Sequence, residues 1–192
     1  LVLLSGAPQL RRRYLDWGVF HVEPIFSTLW RDYINCVKQR NSLLRTARMD
    51  SAELDVWDKK ISELGTLVSE KREHYLNALK PILQELCVQF GLEKGISLRY
   101  IKGWDKGLEL YESLQRTRQS DMVRKHTSIG AHRMDVKVMS GNTVAVDILS
   151  RGQLKLLTIA LYLAQIENLK AISGKRSVVL LDDVSAELDQ SN

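Results

Sequence analysis

The feature that most restricts this chain is a helical apolar period that holds from Glu23 to about Leu86. Ile25, Leu29, Ile34, Val37 and Leu44 mark one stripe. Leu54, Trp57, Ile61, Leu64, Val68, Tyr75, Leu79, Ile82 and Leu86 mark a second, at alternating steps of three and four with one skip. Stripes that narrow, flanked by charges, suit two long helices lying against each other. The turn between them is expected near Arg48 to Ser51, where Asp50 or Ser51 can cap the second helix and Glu53 favours its dipole. Pro24 is placed to open the first helix, and Pro81 is expected to kink or end the second. The period therefore predicts an antiparallel helical hairpin over residues 23–92.

Composition sets the outer bounds. With 192 residues, 44% of them apolar and 27% charged, the chain can bury one sizeable core, or one core plus an appendage. Disorder, collagen and a disulfide-stapled miniprotein are excluded. The longest apolar runs, such as Val178 to Leu181, fall far short of the roughly 18–20 residues of a membrane helix, so no membrane partner is expected. Leu1 to Leu4 lack the preceding basic segment of a signal peptide. Cys36 and Cys87 are far apart, which argues neither a metal knuckle nor a disulfide framework and suits a reducing cytoplasm. A net charge of +5 permits a polyanionic partner without demanding one. The start at Leu1 without methionine and the end at Asp189-Gln190-Ser191-Asn192 suggest a piece of a longer protein.

After Gly91 the texture changes. Ser97 to Trp104 reads as a strand, and Leu108 to about Lys125 as a helix. Two β-type runs, Met134–Met139 and Thr143–Ile148, flank the turn Ser140-Gly141-Asn142. A helix is expected from about Gly152 to Lys170, with Leu154, Leu157, Ala160, Leu161 and Ala164 on its apolar face. Val178 to Leu181 then reads as a buried strand. This order argues an α/β layer with a mainly parallel sheet.

Two short segments carry chemistry. Ser150-Arg151-Gly152-Gln153 opens a helix and forms a capping box. Free amides, a hydroxyl and a glycine at a helix start also make an anion site suited to phosphate. Asp182 and Asp183 sit at the carboxyl end of the last strand, where adjacent carboxylates need a compensating cation or donors. A hydrated magnesium ion is such a cation, and a simple helix cap is the plainer reading. Tyr33, Tyr75, Trp30 and Trp57 could stack bases, but their place on or beside the stripes favours core packing. His21, His74, His126 and His132 lack ligand spacing, so neither zinc nor a nucleophilic triad is inferred.

These segments resemble one family. Leu149-Ser150-Arg151-Gly152-Gln153-Leu154-Lys155 resembles the signature motif of ABC-type ATPases as it occurs in RecF recombination proteins. Val178 to Asp183 resembles their Walker B strand, and Ser185-Ala186-Glu187-Leu188-Asp189 their D-loop. Gly6-Ala7-Pro8, the run Arg11 to Gly18 and Lys38-Gln39-Arg40-Asn41 with Leu43-Leu44-Arg45 are similar too. So is Gly130-Ala131-His132-Arg133-Met134-Asp135, where the family usually reads Gly-Pro-His-Arg-Asp. No Gly-x-x-x-x-Gly-Lys-Ser/Thr occurs in the chain. RecF proteins carry that P-loop near the N-terminus, so the resemblance implies a fragment that is inactive in ATP hydrolysis by itself.

The resemblance implies a partial ABC-type ATPase head, with signature helix and Walker B strand, bearing the inserted hairpin as an arm. Residues 1–22 would lead in from the head lobe, 23–92 form the arm, and 93–192 hold the α/β part. ATP and Mg2+ are the implied cofactors. Asp182 would help hold the metal, and Asp183 would orient the attacking water, where related ATPases often have glutamate. The shorter side chain fits slow hydrolysis. Ser150, Gly152 and Gln153 would contact the γ-phosphate of ATP held by a second copy, with Ser185 and Asp189 at the same interface, giving an ATP-dependent homodimer. Implied partners are double- and single-stranded DNA, RecR and RecO, in a bacterial, nucleoid-associated setting and a repair or SOS role at DNA gaps. Arg11, Arg12 and Arg13 are the candidate phosphate contacts, with scattered cations at Lys38, Arg40, Arg45, Arg48, Arg116, Arg118, Arg124 and Lys125. Alternatives are a non-enzymatic helical module binding DNA or protein, and an SMC-like chromosome ATPase, whose arm would be far longer.

Overall fold

The computed structural model describes residues 1–46, 51–92, 95–174 and 177–180. In chain order its elements are α1 (Val2–Ser5), α2 (Pro8–Val22), α3 (Phe26–Leu43), α4 (Ser51–Gln89), β1 (Ile96–Ile101), α5 (Leu110–Arg124), β2 (Asp135–Ser140), β3 (Thr143–Val144) and α6 (Arg151–Ser173). Short 3-10 helices cover Ala131–Arg133 and Ala145–Asp147. No helix among the described residues is long and apolar enough to cross a membrane. The chain divides into two compact units: one holds residues 1–22, 75–99 and the described residues from Val136 on, the other residues 23–74 and 100–135 as far as they are described.

In the second unit α3 and the first part of α4 run antiparallel. Phe26 and Trp30, early in α3, lie under the Arg72 guanidinium, while Arg40, late in α3, bonds Asp58. The inner line of α4 is Leu54, Asp58, Ile61, Gly65, Val68, Arg72, Tyr75 and Leu79, a four-three alternation, continued by Leu83 and Cys87 at steps of four, with Ser69 and Leu76 buried beside it. The expected stripe is thus right in period, but four of its members differ: Ile82 and Leu86 are half-buried beside the buried Leu83 and Cys87, and the other two lie earlier. Trp57 and Leu64 are half-buried, and Asp58 and Gly65 take the inner positions. Gly65 is inside because Tyr33 and Leu110 leave no room for a side chain. The skip after Val68 is filled by Arg72. On α3 the inner face is Phe26, Tyr33, Cys36, Val37 and Arg40, followed by Leu44 just past its end; of the expected stripe, Val37 and Leu44 are buried, Leu29 and Ile34 half-buried and Ile25 exposed.

Pro81 does not end α4, which continues to Gln89. It lies exposed, so the carbonyl group that it deprives of a donor can turn to water. Arg48 and Asp50, in the expected turn and cap, lie outside the described residues.

The first unit is built on α2 and α6. The Tyr14 hydroxyl donates to the Leu161 carbonyl at 2.6 Å, and Gln165 Nε2 donates to the Tyr14 carbonyl at 2.7 Å. Gly18 lies against the Tyr75 phenol, so α2 approaches the end portion of α4 where any side chain would collide. Leu15, Val19, Leu157 and Ala160 are fully buried here. Burial of a leucine or valine of this kind contributes about 1.5–3 kcal/mol.

The sheet order is β1-β2-β3. β2 and β3 are antiparallel, Ser140 opposite Thr143, around a two-residue turn with Gly141 at φ 59°. This antiparallel pair is the hairpin expected around Ser140-Gly141-Asn142, and the sheet formed by the described residues is this small one, not the mainly parallel sheet expected from the strand-helix-strand order. The second run is a strand only at Thr143–Val144. Ala145 and Leu149 are both buried, four residues apart, and the Leu149 amide donates to the Ala145 carbonyl at 3.0 Å. That bond from residue i+4 back to residue i closes a helical turn, so the run leaves the strand ladder after Val144.

The expected buried strand at Val178 to Leu181 is also corrected over its described part. Val178, Val179 and Leu180 have no strand conformation, and Val178 and Leu180 are 89% and 91% exposed. An apolar run becomes a buried strand only where neighbouring strands pair with it, and the described residues supply none. Leu181 lies outside the described residues.

Candidate functional site

The turn that opens α6 is held by its own side chains. Ser150 Oγ accepts from the Gln153 amide at 3.3 Å, and Gln153 Oε1 accepts from the Ser150 amide at 3.0 Å. This is the capping box expected from the sequence. Leu149 is buried beneath it, while Ser150 and Arg151 are exposed. Around Gly152 nothing lies within 4 Å of where a β-carbon would stand. Its amide and that of Arg151 lie in the first turn, where no intrahelical acceptor exists. Because Ser150 Oγ uses a lone pair inward, its proton remains available to an outside acceptor. The turn thus offers a hydroxyl, two amides, the positive helix end and open space, a donor set that fits a phosphate group. Asp182, Asp183, Ser185 and Asp189 lie outside the described residues.

The second feature is the segment from Thr127 to Arg133, which contains the Gly-Ala-His-Arg run. Arg40 is wholly buried between Asp58 and Asp121, at 2.6 and 2.8 Å, and donates to Thr127 Oγ1 at 3.0 Å. Asn41 Oδ1 accepts from the Thr127 amide at 2.7 Å and its hydroxyl at 2.8 Å. Asp121 Oδ1 accepts from the Ser128 amide and hydroxyl, at 3.1 and 2.6 Å. Further along, Arg72 donates to the Ala131 carbonyl at 2.6 Å, and the Gly130 amide to the Gly103 carbonyl at 2.9 Å. His132 closes the loop: Nε2 lies 3.3 Å from the Thr127 carbonyl and Nδ1 2.8 Å from the Tyr33 hydroxyl. A carbonyl can only accept, so in the neutral ring Nε2 carries the proton and Nδ1 accepts from Tyr33. Gly130 holds φ 126°, a conformation side chains rarely adopt. Burial raises the Tyr33 hydroxyl well above the usual phenol range.

These contacts re-sort the cations proposed as phosphate ligands. Arg11 donates to the Gly6 carbonyl at 2.7 Å and the Leu4 carbonyl at 3.3 Å, closing the end of α1. Arg12 also has a partner within the protein, whereas Arg13 is exposed. Arg40 is removed from the surface altogether. Arg118 is paired with Asp58 and Asp55, at 2.7 and 3.2 Å. Lys38, Arg45, Arg116, Arg124 and Lys125 are exposed, and Arg48 lies outside the described residues. Of the aromatics, Tyr33 and Tyr75 are buried, and Trp30 stacks on Tyr33 with centroids 5.5 Å apart.

What sequence reasoning missed is the buried charge. Asp58, Arg72 and Asp121 went unnoticed, although Asp58 and Arg72 stand in the heptad register of the apolar positions. That register was the available signal.

No family model matches the chain. It is 40% identical over 190 residues to the DNA replication and repair protein RecF of Pseudomonas fluorescens (strain Pf0-1), covering 99% of this chain and 52% of that protein. The protein of the same name from Vibrio campbellii (strain ATCC BAA-1116) is 38% identical over 187 residues, 97% of this chain and 52% of that one. A solved structure of the recombination mediator protein RecF-ATP in the RecFOR pathway has a TM-score of 0.88 and 26% identity, over 97% of this chain and 53% of the other. The chain spans about half the length of the curated relatives it matches.

Proposed function

We propose that this chain is the signature-bearing part of a RecF-type, ATP-dependent recombination mediator in DNA repair, a reading supported by its similarity to RecF proteins along nearly all of its residues. The observation that carries this reading is the turn at Ser150, exposed, locked by its capping box and open around Gly152. Across a dimer, Ser150, Gly152 and Gln153 would meet the γ-phosphate of ATP bound by the other copy, so ATP joins two heads and its hydrolysis releases them. Ser185 and Asp189 would lie at the same interface. Asp182 would help hold Mg2+, because carboxylates with phosphate oxygens form its preferred donor set. Asp183 would orient the attacking water. The residues 23–92 hairpin is the arm inserted in the head, between the lead-in of residues 1–22 and the α/β part of residues 93–192. The dimer would act on duplex DNA at gaps next to single strands, with RecR and RecO, in the bacterial cytoplasm near the nucleoid.

The test is Ser150→Arg in a full-length RecF-type protein carrying this chain, followed by sedimentation with and without ATP. Loss of ATP-dependent dimers with monomer ATP binding retained is expected. Unchanged dimerisation would exclude the contact across copies.

A further inference from the structure

The ten residues Arg124 to Arg133 contain three Lys and Arg, two His and no carboxylate. Arg124, Lys125 and Arg133 are exposed and make no side-chain ion pair among the described residues. In the same unit Arg40 is spent on Asp58 and Asp121, Arg118 on Asp55 and Asp58, Lys59 on Asp55 and Lys71 on Glu23, while Lys38, Arg45 and Arg116 are exposed like the three loop cations but stand apart from that segment in sequence.

The segment is also built. Its backbone hangs on Asn41, Asp121, Arg72 and Gly103, and the His132 to Thr127 contact brings its two ends together. Residues 125–126 and 133 thereby flank one closed loop. Fixing the loop beforehand lowers the ordering cost that a mobile cationic segment would meet on binding.

Lys125 supplies an independent sign. It caps the end of α5 in the left-handed region, φ 57° and ψ 28°, and is the positive-φ residue other than glycine among those described. Glycine is the usual occupant there, and a side chain costs about 1 kcal/mol. A lysine at a position where glycine is easier points to a use for its ammonium group outside the fold.

Resting on the DNA-repair reading above, we propose that this closed loop is a preorganised contact for the phosphate backbone of duplex DNA, with Arg124, Lys125 and Arg133 as the ligating cations. Contacts of that kind set affinity and salt dependence without reading sequence.

The experiment is a salt titration of duplex binding by the full-length protein with ATP, using a fluorescent DNA of arbitrary sequence, for wild type, Lys125→Gly and Arg133→Gln. Each variant is expected to bind about 3- to 10-fold more weakly at about 0.1 M salt, and to lower the slope of log K against log salt by about one. Lys125→Gly should at the same time raise the melting temperature, so weaker binding cannot be blamed on a damaged fold. Wild-type affinity and slope in both variants would overturn the loop assignment while leaving the repair reading intact. A wild-type protein without salt-dependent DNA binding would overturn both.

Discussion

The turn at Ser150 and the loop from Thr127 to Arg133 each follow a strand or helix and each contain glycine, yet they are held in opposite ways. The first is fixed by two hydrogen bonds within four residues, and its glycine faces empty space. The second is fixed by side chains from α3, α4 and α5, and its glycine is crowded by the Tyr33 hydroxyl. A locally closed turn can meet an outside group without disturbing the core. A loop tied to buried charges cannot move without breaking them, so it presents its cations in one arrangement.

Removing Arg40 should have the largest effect. Arg40→Ala leaves Asp58 and Asp121 buried without their partner and should cost about 3–5 kcal/mol of unfolding free energy by denaturant titration. A cost under about 1 kcal/mol would mean that the loop does not depend on the buried network. Gly103→Ala comes next. Its new methyl group would overlap the Gly130 carbonyl and approach the Met134 amide, both backbone atoms. A loss of about 2–4 kcal/mol is expected.

A smaller effect concerns acid. Asp55, on the α4 face that meets α5, is held down at about 2, first by the Tyr111 hydroxyl and then by Lys59. A carboxylate lowered in the folded state contributes stability above its unfolded value of about 3.9. That contribution should fade as pH drops from about 4 to about 2. Asp55→Asn should flatten this part of the stability profile, and an identical acid limb in that variant would remove Asp55 from it.

The smallest folding effect is expected at Gly152→Ala. With nothing near the new methyl group, unfolding free energy should change by less than about 0.5 kcal/mol. If ATP-dependent dimerisation nevertheless weakens, the open space around Gly152 is occupied in the dimer.

The sequence makes the helices legible because their period is long and regular, and the capping box because its pattern is local. The hairpin turn at Gly141 is legible for the same reason. The Arg40 cluster is not, since an arginine reads as surface until a neighbouring helix supplies aspartates at matching heights. Arg72 shows this most plainly: the skip in the apolar stripe after Val68 marks the place where a cation is buried over the Trp30 ring and bonded to Ala131. The Val178 run reads as strand from composition, but strand pairing depends on neighbours distant in sequence. Arg11 reads as one of three equivalent cations, and only the fold makes it the cap of α1.

The most direct measurement of the central claim is hydrogen exchange at the Arg151 and Gly152 amides in the full-length protein, with and without ATP, above and below the concentration at which it dimerises. Protection that appears only with ATP and only in the dimer is the predicted result. Protection in the ATP-bound monomer, or none in the ATP-held dimer, would contradict a phosphate contact made across two copies.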